Sequence, residues 1–365
     1  MNILIAAGGT GGHLFPGIAL AEAFKQKDER NQILFVGTQR DQERRMLIPP
    51  GCAFEAIDAK SVKGQKPIRM LIALLCLTKG IVQSGMIIKR FAPHLVIGCG
   101  GYVSAPVLVA AYLMGVKRAI HEQNALPGLT NRALSTIAQI IFISFQQSLP
   151  YFSKARTVIA GNPLRKQHLE RSAPPISPPP FTLLILGGSL GSHQINCALT
   201  EALPDLVPIR EKLTIIHQTG TADLGLVKEA YSRQGFAAEV VPFIEQIASA
   251  YERAHLIISR SGATTLAELM VHHKASILIP YPFAADNHQH HNAMALVCHN
   301  AAQMIDPQQL TGRVLAERIL HLYHNPHDLR ALGENAGTLG RPQAAQEIVD
   351  HCYTMLTEEV PCTRA

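Results

Sequence analysis

The same local pattern occurs twice in this chain: an apolar run, a glycine-rich loop and then a helical pattern. The first copy is residues 2–7 followed by GGTGGH at 8–13, and the second is residues 181–186 followed by GGSLG at 187–191. Such a turn places backbone N–H groups at a helix N-terminus, where they can bind phosphate. Two copies predict two nucleotide-type α/β domains that face each other across a cleft, where ligands usually bind.

Short β-branched runs alternate with helical patterns along the rest of the chain. This alternation predicts parallel sheets that are buried on both faces and bind ligands at the carboxyl ends of their strands. The predicted strands are residues 3–6, 32–36, 94–97, 118–120, 139–143 and 156–160 in the first half, and residues 181–186, 212–217, 238–242, 254–259, 275–280 and 303–305 in the second.

The boundary between the two predicted domains is marked by proline. SAPPISPPP at residues 172–180 excludes a helix or a central strand, and the hinge is expected slightly earlier, near 162–165. The predicted N-terminal domain is residues 1–163 together with a C-terminal helix at about 342–358. The predicted C-terminal domain is residues 164–341.

Composition limits the partners and the compartment. A net charge of +6 without any tryptophan argues against nucleic acid and allows anionic small molecules or an anionic membrane face. Seven scattered cysteines without a C-x-x-C pair indicate free thiols in a reducing compartment. The N-terminus lacks the basic region of a signal peptide, and Arg69 and Lys79 interrupt the most apolar stretch, 68–88. The chain is therefore predicted to be cytoplasmic.

Two common nucleotide motifs are excluded. The first loop lacks the third glycine of G-x-G-x-x-G because Leu14 stands there, and no acidic residue follows the second strand at 37–38. A Gly-Lys-Ser/Thr sequence is also missing, so neither a dehydrogenase nor a P-loop is indicated. No Asp-x-Asp is present to hold a metal-bound sugar diphosphate, which leaves helix N-termini and arginine to neutralise phosphate.

Candidate catalytic groups in the first half follow predicted strands. His13 ends the first glycine loop, where an imidazole suits general-base chemistry, although a helix cap is the alternative. HEQN at 121–124 is predicted to form a ligand-facing loop, with a solvated loop as the alternative. Tyr102 closes a further glycine-rich exit, GCGGY at 98–102, and could hydrogen-bond a substrate.

Candidate binding groups in the second half suit a sugar nucleotide. RSGATTLAE at 260–268 opens a helix with small residues, whose N–H groups can hold phosphate, and Glu268 can accept two ribose hydroxyls. Asp286, Gln289 and Asn292 are spaced to share one helix face and suit sugar hydroxyls. Three neighbouring histidines raise a zinc alternative, but no further ligands complete it. Arg165 lies beside the expected hinge and could bind a diphosphate.

Taken together and in order, these motifs resemble the MurG family of bacterial UDP-N-acetylglucosamine transferases. The resemblance runs from about residue 1 to 306 through GGTGGH, GCGGYVSAP, HEQNALPGLTN, GNPLR, GGSLG, RSGATTLAE and DNHQHHN. It implies a GT-B fold of two Rossmann-like parallel-sheet domains. It also implies transfer of GlcNAc from UDP-GlcNAc to the 4-hydroxyl of MurNAc in lipid I (undecaprenyl-pyrophosphoryl-MurNAc-pentapeptide). Lipid II and UDP are the implied products, with inversion and with no cofactor or metal.

The resemblance also assigns roles to individual residues. His13 is the expected base, with Glu122 as its rival. Glu268 is expected at the ribose, Ile244 at uracil, and Ser189, Arg165 and the 263–264 helix start at the diphosphate. The full donor set is Thr10, Gly11, Gly12, Asn124, Arg165, Ser189, Ile244, Ala263, Thr264, Glu268, Gln289 and Asn292. The acceptor set is Gly11, Gly12, Tyr102 and Asn131, with Glu122 and Asn124 also expected near the acceptor.

A lipid-linked acceptor requires a surface that meets the membrane. The segment 68–88 is the predicted surface, as an interfacial helix on an anionic leaflet, with an ordinary core helix as the alternative. Its apolar residues are Met70, Leu71, Leu74 and Leu75, and its basic neighbours are Arg69, Lys79, Lys89 and Arg90. A peripheral position on the cytoplasmic face of the cell membrane follows, with cell-wall assembly proteins as possible partners.

The chain departs from the family pattern at two places, and three rival functions stay open. Leu190 stands where the family often has glutamine, and Asn287-His288 replaces a frequent Arg-Gln. The rivals are another UDP-sugar transferase, a non-hydrolysing UDP-GlcNAc epimerase, and a non-catalytic UDP-sugar-binding scaffold.

Overall fold

The chain forms two compact units. The computed structural model describes residues 1–8, 11–39, 48–59, 67–170, 180–188 and 190–357, and only the backbone of 67–75. Unit 1 is Met1–Lys166 together with the C-terminal segment from Pro342, and unit 2 is Gln167–Arg341.

Unit 1 contains a parallel sheet of seven strands in the order β3-β2-β1-β4-β5-β6-β7. In the strand Asn2–Ala6, Ile3 lies opposite Ile33 on one side and Leu95 on the other. The strands are β1 (Asn2–Ala6), β2 (Gln32–Gly37), β3 (Ala53–Ala56), β4 (Leu95–Gly98), β5 (Lys117–Glu122), β6 (Ile140–Ile143) and β7 (Thr157–Ile159).

Helices cover both faces of this sheet. Ile3 and Ile5 point into one core, and Leu4 and Ala6 into the other, because side chains alternate along a strand. Both faces are therefore apolar, which explains the continuous apolar runs of the sequence. The helices are α1 (Gly11–Lys27), α2 (Pro67–Phe91), α3 (Gly101–Leu113), α4 (Leu129–Leu134) and, from the end of the chain, α12 (Ala344–Thr357).

Helix α12 completes the core of unit 1 from the far end of the sequence. Ile348 and Val349 are fully buried in the same cluster as Phe24 of α1. At its surface, Asp350 pairs with Lys27 at 2.9 Å, and the Tyr353 hydroxyl accepts a hydrogen bond from the Asn31 amide at 2.9 Å. The buried apolar residues supply most of the binding energy of this helix, because exposed ion pairs contribute little.

Unit 2 contains a second parallel sheet, of six strands in the order β10-β9-β8-β11-β12-β13. Its strands are β8 (Phe181–Leu186), β9 (Leu213–Gln218), β10 (Ala237–Val241), β11 (Leu256–Ser259), β12 (Ala275–Leu278) and β13 (Gln303–Met304). Its helices are α5 (His193–Leu206), α6 (Leu224–Gln234), α7 (Ile247–Arg253), α8 (Ala263–Val271), α9 (His288–Val297), α10 (Gly312–His324) and α11 (Pro326–Leu339).

Two parallel α/β sheets confirm the predicted fold class at the level of each unit. Every predicted strand is present, with its ends moved by two residues at most. The sequence prediction omitted β3, which is short and carries Glu55 in the middle of its apolar residues. The proline-rich segment 172–180 lies outside the described residues except for Pro180.

None of the helices in the described part of the chain has the length and apolarity needed to cross a bilayer.

Candidate functional site

The candidate residues of unit 1 gather where β1, β4 and β5 end. Helix α1 begins at Gly11, so Gly11, Gly12 and His13 form its first turn, and Thr10 lies outside the described residues. This corrects the expectation that His13 ends the loop. Gly17, one turn on, packs so close to β1 that an added Cβ would lie 3.1 Å from the Ala7 side chain. The start of α1 is thus fixed tightly against the strand.

The imidazole of His13 lies in a space left by two glycines. A Cβ on Gly100 would lie 2.9 Å from Nδ1 of His13, and one on Gly101 would lie 3.2 Å from its Cδ2. Both glycines have positive φ, 89° and 75°, which other residues rarely adopt. On its Nδ1 side the ring meets Oε1 of Gln123 at 3.3 Å. The glycine-rich exit after β4 therefore shapes the environment of His13.

The HEQN segment differs from its prediction as a ligand-facing loop. β5 continues through Glu122, and His121, Glu122 and Gln123 are all buried. Alternation along the strand sends His121 and Gln123 to one side and Glu122 to the other. His121 Nε2 lies 3.0 Å from the Gly161 carbonyl oxygen, and burial lowers the pKa of His121 to about 4. This histidine is neutral at physiological pH.

The carboxylate of Glu122 is enclosed by N–H donors. Oε1 accepts hydrogen bonds from the backbone N–H of Asn124 at 2.9 Å and from its side chain at 3.2 Å. Oε2 accepts from the Gly128 N–H at 3.1 Å and from the Asn131 amide at 2.9 Å. Burial raises the pKa of Glu122, and the four hydrogen bonds act in the opposite direction. The side chain organises the turn from 124 to 131.

Asn124 and Asn131, which are predicted at the acceptor, form the two ends of this turn. Asn131 is 3 % exposed; its amide donates to the His121 carbonyl and to Glu122, while its Oδ1 has no hydrogen-bond partner among the described residues. Asn124 is half-buried, and its carbonyl accepts from the Ser148 hydroxyl. Tyr102 is half-buried in the first turn of α3. Arg165 also belongs to unit 1, with its guanidinium 4.6 Å from the Phe15 ring centre.

Glycines of the unit 2 loop pack directly against neighbouring backbone atoms. Ser189 lies outside the described residues, whereas Leu190 is 86 % exposed. A Cβ on Gly187 would collide with the Ser192 nitrogen, and one on Gly191 with the Thr219 carbonyl. Ser192 then caps α5 by accepting from the Ile195 N–H. Only glycine allows the chain to turn so close to the start of this helix.

Gln218, which the sequence analysis did not single out, joins two loops of unit 2. Its side-chain amide donates to the Gly188 carbonyl at 2.8 Å, and its Oε1 accepts from the Ile244 N–H at 2.9 Å. The glycine loop and the segment predicted to bind uracil are thus connected through one buried residue. The Ile244 N–H thus has a partner within unit 2.

Helix α8 provides the predicted phosphate and ribose groups. Gly262 at its N-cap has no side-chain oxygen, so this residue makes no side-chain cap of the helix. Ala263 is buried and Thr264 half-buried in the first turn. One and a half turns on, Oε2 of Glu268 accepts from the Tyr251 hydroxyl at 2.8 Å.

Buried aromatic side chains contact the carboxylate of Glu268. His168 Nε2 lies 3.3 Å from Oε1 of Glu268, and His168 Nδ1 lies 3.2 Å from Nε2 of His272. The His272 ring stacks on Tyr251 with ring centres 4.9 Å apart. His168 and Tyr251 are almost completely buried. This group orients the carboxylate of Glu268.

The spacing prediction for Asp286, Gln289 and Asn292 is wrong in one part. Asp286 and Asn287 have φ of 53° and precede α9, which begins at His288, so Asp286 does not share its face. Gln289 accepts from the Tyr281 N–H through Oε1 at 2.9 Å. Asn292 is fully buried and donates to the Ser261 carbonyl at 3.2 Å. Both amides connect neighbouring loops of unit 2.

Arg260 provides a positive charge near the same loops. It is half-buried and donates to the Ile279 and Pro280 carbonyls and to the Ser192 hydroxyl. Burial lowers the pKa of Arg260 to about 10, which still leaves the side chain cationic at neutral pH. Within the described residues, no group of three or more histidine, cysteine or acidic side chains is placed to hold a metal ion.

Several of these residues lacked a clear sequence signal. Gln123 and His121 were noticed, but as loop residues rather than as a buried pair. Gln218 is the last residue of β9, within HQTG, and a polar residue at that position is the available signal. His168 and Tyr251 are brought to Glu268 only by the fold.

Family models match most of the chain. The glycosyltransferase family 28 N-terminal domain matches residues 3–143, and the glycosyltransferase family 28 C-terminal domain matches residues 182–348.

Full-length relatives share a single name. A Geotalea uraniireducens protein is 47 % identical, with 100 % of both chains covered, and a Geobacter sulfurreducens protein is 48 % identical, with 98 % of this chain and 100 % of the relative covered. Both are named UDP-N-acetylglucosamine--N-acetylmuramyl-(pentapeptide) pyrophosphoryl-undecaprenol N-acetylglucosamine transferase.

Solved structures agree with these relatives. Acinetobacter baumannii MurG has a TM-score of 0.78 and 31 % identity, covering 97 % of this chain and 99 % of that one. A putative UDP-N-acetylglucosamine 2-epimerase from Listeria monocytogenes has a TM-score of 0.69 over 98 % of this chain and 97 % of that one. Its 14 % identity shows a shared fold alone.

Proposed function

This chain belongs to glycosyltransferase family 28, among the transferases that convert lipid I to lipid II with UDP-GlcNAc, and we propose that His13 is the general base of its reaction. The acceptor would be the 4-hydroxyl of MurNAc. Its oxygen attacks the anomeric carbon of GlcNAc on the face opposite UDP, so the configuration inverts. The proton of the hydroxyl passes to His13 as the new bond forms.

The observation that carries this proposal is the contrast between His13 and Glu122. His13 is only partly buried in the first turn of α1, at the carboxyl edge of the sheet. Glu122 is 2 % exposed, and both of its oxygens accept two hydrogen bonds. A carboxylate has about four lone-pair sites, so four buried N–H donors leave none for a substrate hydroxyl. We therefore assign Glu122 to shaping the acceptor turn that contains Asn124 and Asn131, with Tyr102, Gly11 and Gly12 at the acceptor.

Unit 2 would bind the donor. Glu268, held by Tyr251 and His168, would accept two ribose hydroxyls. The first turn of α8, at Ala263 and Thr264, offers N–H groups to the departing diphosphate, whose charge grows in the transition state. The remaining donor predictions concern Thr10, Asn124, Arg165, Ser189, Ile244, Gln289 and Asn292. Because Asn292 is buried, it would support the sugar-binding loop rather than contact the sugar directly.

The membrane surface of unit 1 would lie on the second half of α2 and the end of α3. Val82 and Met86 of α2 are 63 % and 59 % exposed, and Leu113 beside them on α3 is 70 % exposed. The two segments are neighbours, since a Cβ on Gly85 would lie 4.0 Å from the Met114 sulfur. The predicted apolar side chains at 70–75 lie outside the described residues. Exposed apolar groups with basic neighbours suit an anionic leaflet.

This membrane proposal is tested by sedimentation with vesicles that contain an anionic phospholipid. Val82→Glu with Met86→Glu should weaken binding several-fold, and Lys89→Glu should weaken it further at low salt. Leu226→Glu changes an exposed apolar residue of unit 2 and serves as the control. Equal binding of all variants would overturn the proposal. A peripheral site on the cytoplasmic face and cell-wall assembly partners stay predictions.

The transfer itself is tested by UDP release from UDP-GlcNAc, with and without a lipid I analogue, in EDTA. We expect release that requires the acceptor and survives EDTA. His13→Ala should lower kcat by about 10²–10⁴-fold, while His327→Ala, at a side chain 94 % exposed in unit 2, should have no effect. Full activity of His13→Ala would remove the general-base assignment. UDP release without an acceptor would favour epimerase-like or hydrolytic chemistry. Donor binding without turnover would favour a non-catalytic scaffold.

A further inference from the structure

The orientation of the Gln123 side-chain amide follows from its neighbours. Its Nε2 lies 2.8 Å from the Cys99 carbonyl oxygen and 3.3 Å from the His121 carbonyl oxygen. A carbonyl oxygen only accepts hydrogen bonds, so the atom that faces these two must be the NH₂ group. The reversed amide would place its one oxygen against these two carbonyl oxygens in a buried site, which is strongly unfavourable.

The position of Oε1 then determines the protonation of His13. With the NH₂ group fixed, Oε1 of Gln123 is the atom 3.3 Å from Nδ1 of His13. An amide oxygen can only accept, so Nδ1 of His13 must carry hydrogen. In the neutral ring the lone pair is then on Nε2, which makes Nε2 the basic nitrogen.

The hydrogen bonds of His121, on the other side of Gln123, are consistent with this orientation of the amide. Nε2 of Gln123 lies 3.0 Å from Nδ1 of His121, which must therefore accept. His121 carries its hydrogen on Nε2, which lies 3.0 Å from the Gly161 carbonyl oxygen. The two hydrogens of the NH₂ group thus go to the Cys99 carbonyl at 2.8 Å and to Nδ1 of His121 at 3.0 Å, and the His121 carbonyl at 3.3 Å is a further close contact. His121 and Gln123 are buried. A Cβ at Gly100 would lie 3.4 Å from Oε1 of Gln123, so the glycine leaves room for this amide.

We infer that Gln123 is a positioning residue that fixes His13 as the Nδ1–H tautomer, so that Nε2 is the atom that takes the acceptor proton. This inference rests on the proposed function in one respect, namely that His13 is the base. When the proton arrives on Nε2, Nδ1–H keeps its bond to Gln123, and the imidazolium later returns a proton to solvent. A neutral amide fixes the tautomer but does not take up the proton itself, whereas a carboxylate would.

The tautomer can be measured directly on the full-length chain. Ring ¹⁵N signals of histidine-labelled protein, with His13 identified by its absence in His13→Gln, distinguish a protonated from an unprotonated nitrogen. We expect hydrogen on Nδ1 in the unmodified protein. Hydrogen on Nε2 of neutral His13 would overturn the inference.

Gln123→Met supplies the second test, because methionine has a similar length but gives no acceptor oxygen. A free imidazole favours hydrogen on Nε2, so we expect the His13 signals to move toward that tautomer. We also expect kcat to fall by about tenfold or more, with the KM for UDP-GlcNAc unchanged. Gln139→Met is the matched control, since the side-chain oxygen of Gln139 accepts a hydrogen bond from the Arg118 N–H in the same unit. That control should leave the tautomer and kcat unchanged.

The outcomes separate this inference from the proposed function. If His13→Gln keeps full turnover, His13 is not the base, and both the assignment and the inferred role of Gln123 fall. If His13 is essential but Gln123→Met leaves its tautomer and kcat unchanged, only the inference fails.

Discussion

At the scale of single residues, Glu122 shows how a buried charge can serve structure. Its two oxygens each accept two hydrogen bonds, from Asn124 on one side and from Gly128 and Asn131 on the other. In Glu122→Gln, either orientation of the amide turns NH₂ toward two donors. We expect the free energy of unfolding to fall by about 1–3 kcal/mol for the groups left unsatisfied, as measured by urea denaturation.

A surface carboxylate of the same unit provides the control for this prediction. Asp350 pairs with Lys27 at 2.9 Å, but both side chains are about half exposed. Asp350→Asn should therefore cost less than about 1 kcal/mol. Equal losses in the two variants would contradict the structural role that we assign to Glu122.

The surroundings of the candidate site residues could not be predicted from the sequence. Motif resemblance singled out His13 and Glu268, because few residue types suit proton transfer or ribose binding. It did not foresee that β5 extends to Glu122 and buries His121, since four polar residues in a row resemble a loop. Their hydrogen-bond partners, such as Gly161, come from distant parts of the chain, and no local pattern encodes them.

At the scale of elements, the turn between β8 and α5 depends on glycine at 191. This residue has φ of 79°, and a Cβ there would collide with the Thr219 carbonyl. Gly191→Ala should therefore destabilise unit 2 by more than about 2 kcal/mol, through strain and forced movement of the backbone. The thermal midpoint and UDP affinity should both fall.

Gly225 in α6 is the matched control for this substitution. A Cβ at Gly225 would meet nothing within 4 Å. Gly225→Ala should raise stability by about 0.5–1 kcal/mol, because alanine is the better helix former. A Gly191→Ala protein as stable as Gly225→Ala would show that the loop tolerates a side chain.

Elements were predicted well where the apolar pattern was continuous and poorly where the backbone turned unusually. The buried strands are short runs of isoleucine, leucine and valine, which fix both their type and their place. The start of α9 was missed because Asp286 and Asn287 adopt positive φ and delay the helix to His288. Helical spacing alone gives no sign of such a turn.

At the scale of the whole molecule, each unit contains a buried neutral histidine that makes stability depend on pH. Burial lowers the pKa of His121 in unit 1 to about 4 and of His217 in unit 2 to about 3, from 6.5. Between these values and 6.5 the unfolded chain binds protons that the folded chain excludes. Stability should therefore fall as pH drops below about 6.5, by up to about 1.4 kcal/mol per pH unit for each histidine.

Thermal midpoints at pH 7, 6 and 5 test this dependence. His217→Gln removes one of the two groups and should make the loss between pH 7 and 5 smaller. His327→Gln, at an exposed position of the same unit, should leave the loss as it is. An unchanged midpoint across this range would contradict the burial of neutral histidines.

The two cores should respond separately to substitutions. Ile348 in α12 belongs to the core of unit 1, and Ile319 in α10 to that of unit 2; both are fully buried. Each change to alanine should cost about 2–5 kcal/mol in its own unit. Calorimetry with and without UDP should show that Ile319→Ala lowers the transition that UDP stabilises and that Ile348→Ala lowers the other. One transition lowered equally by both would contradict separate cores.

The return of α12 to unit 1 has a consequence for how the protein is made. On the ribosome, the first 166 residues emerge early, yet the groove that receives Ile348 and Val349 stays empty until all of unit 2 has been translated. At typical elongation rates this delay lasts roughly 10 s or more. During that time unit 1 exposes an apolar groove that chaperones can recognise, while unit 2, which is continuous in sequence, can fold as soon as it emerges. The half that begins first is thus completed last.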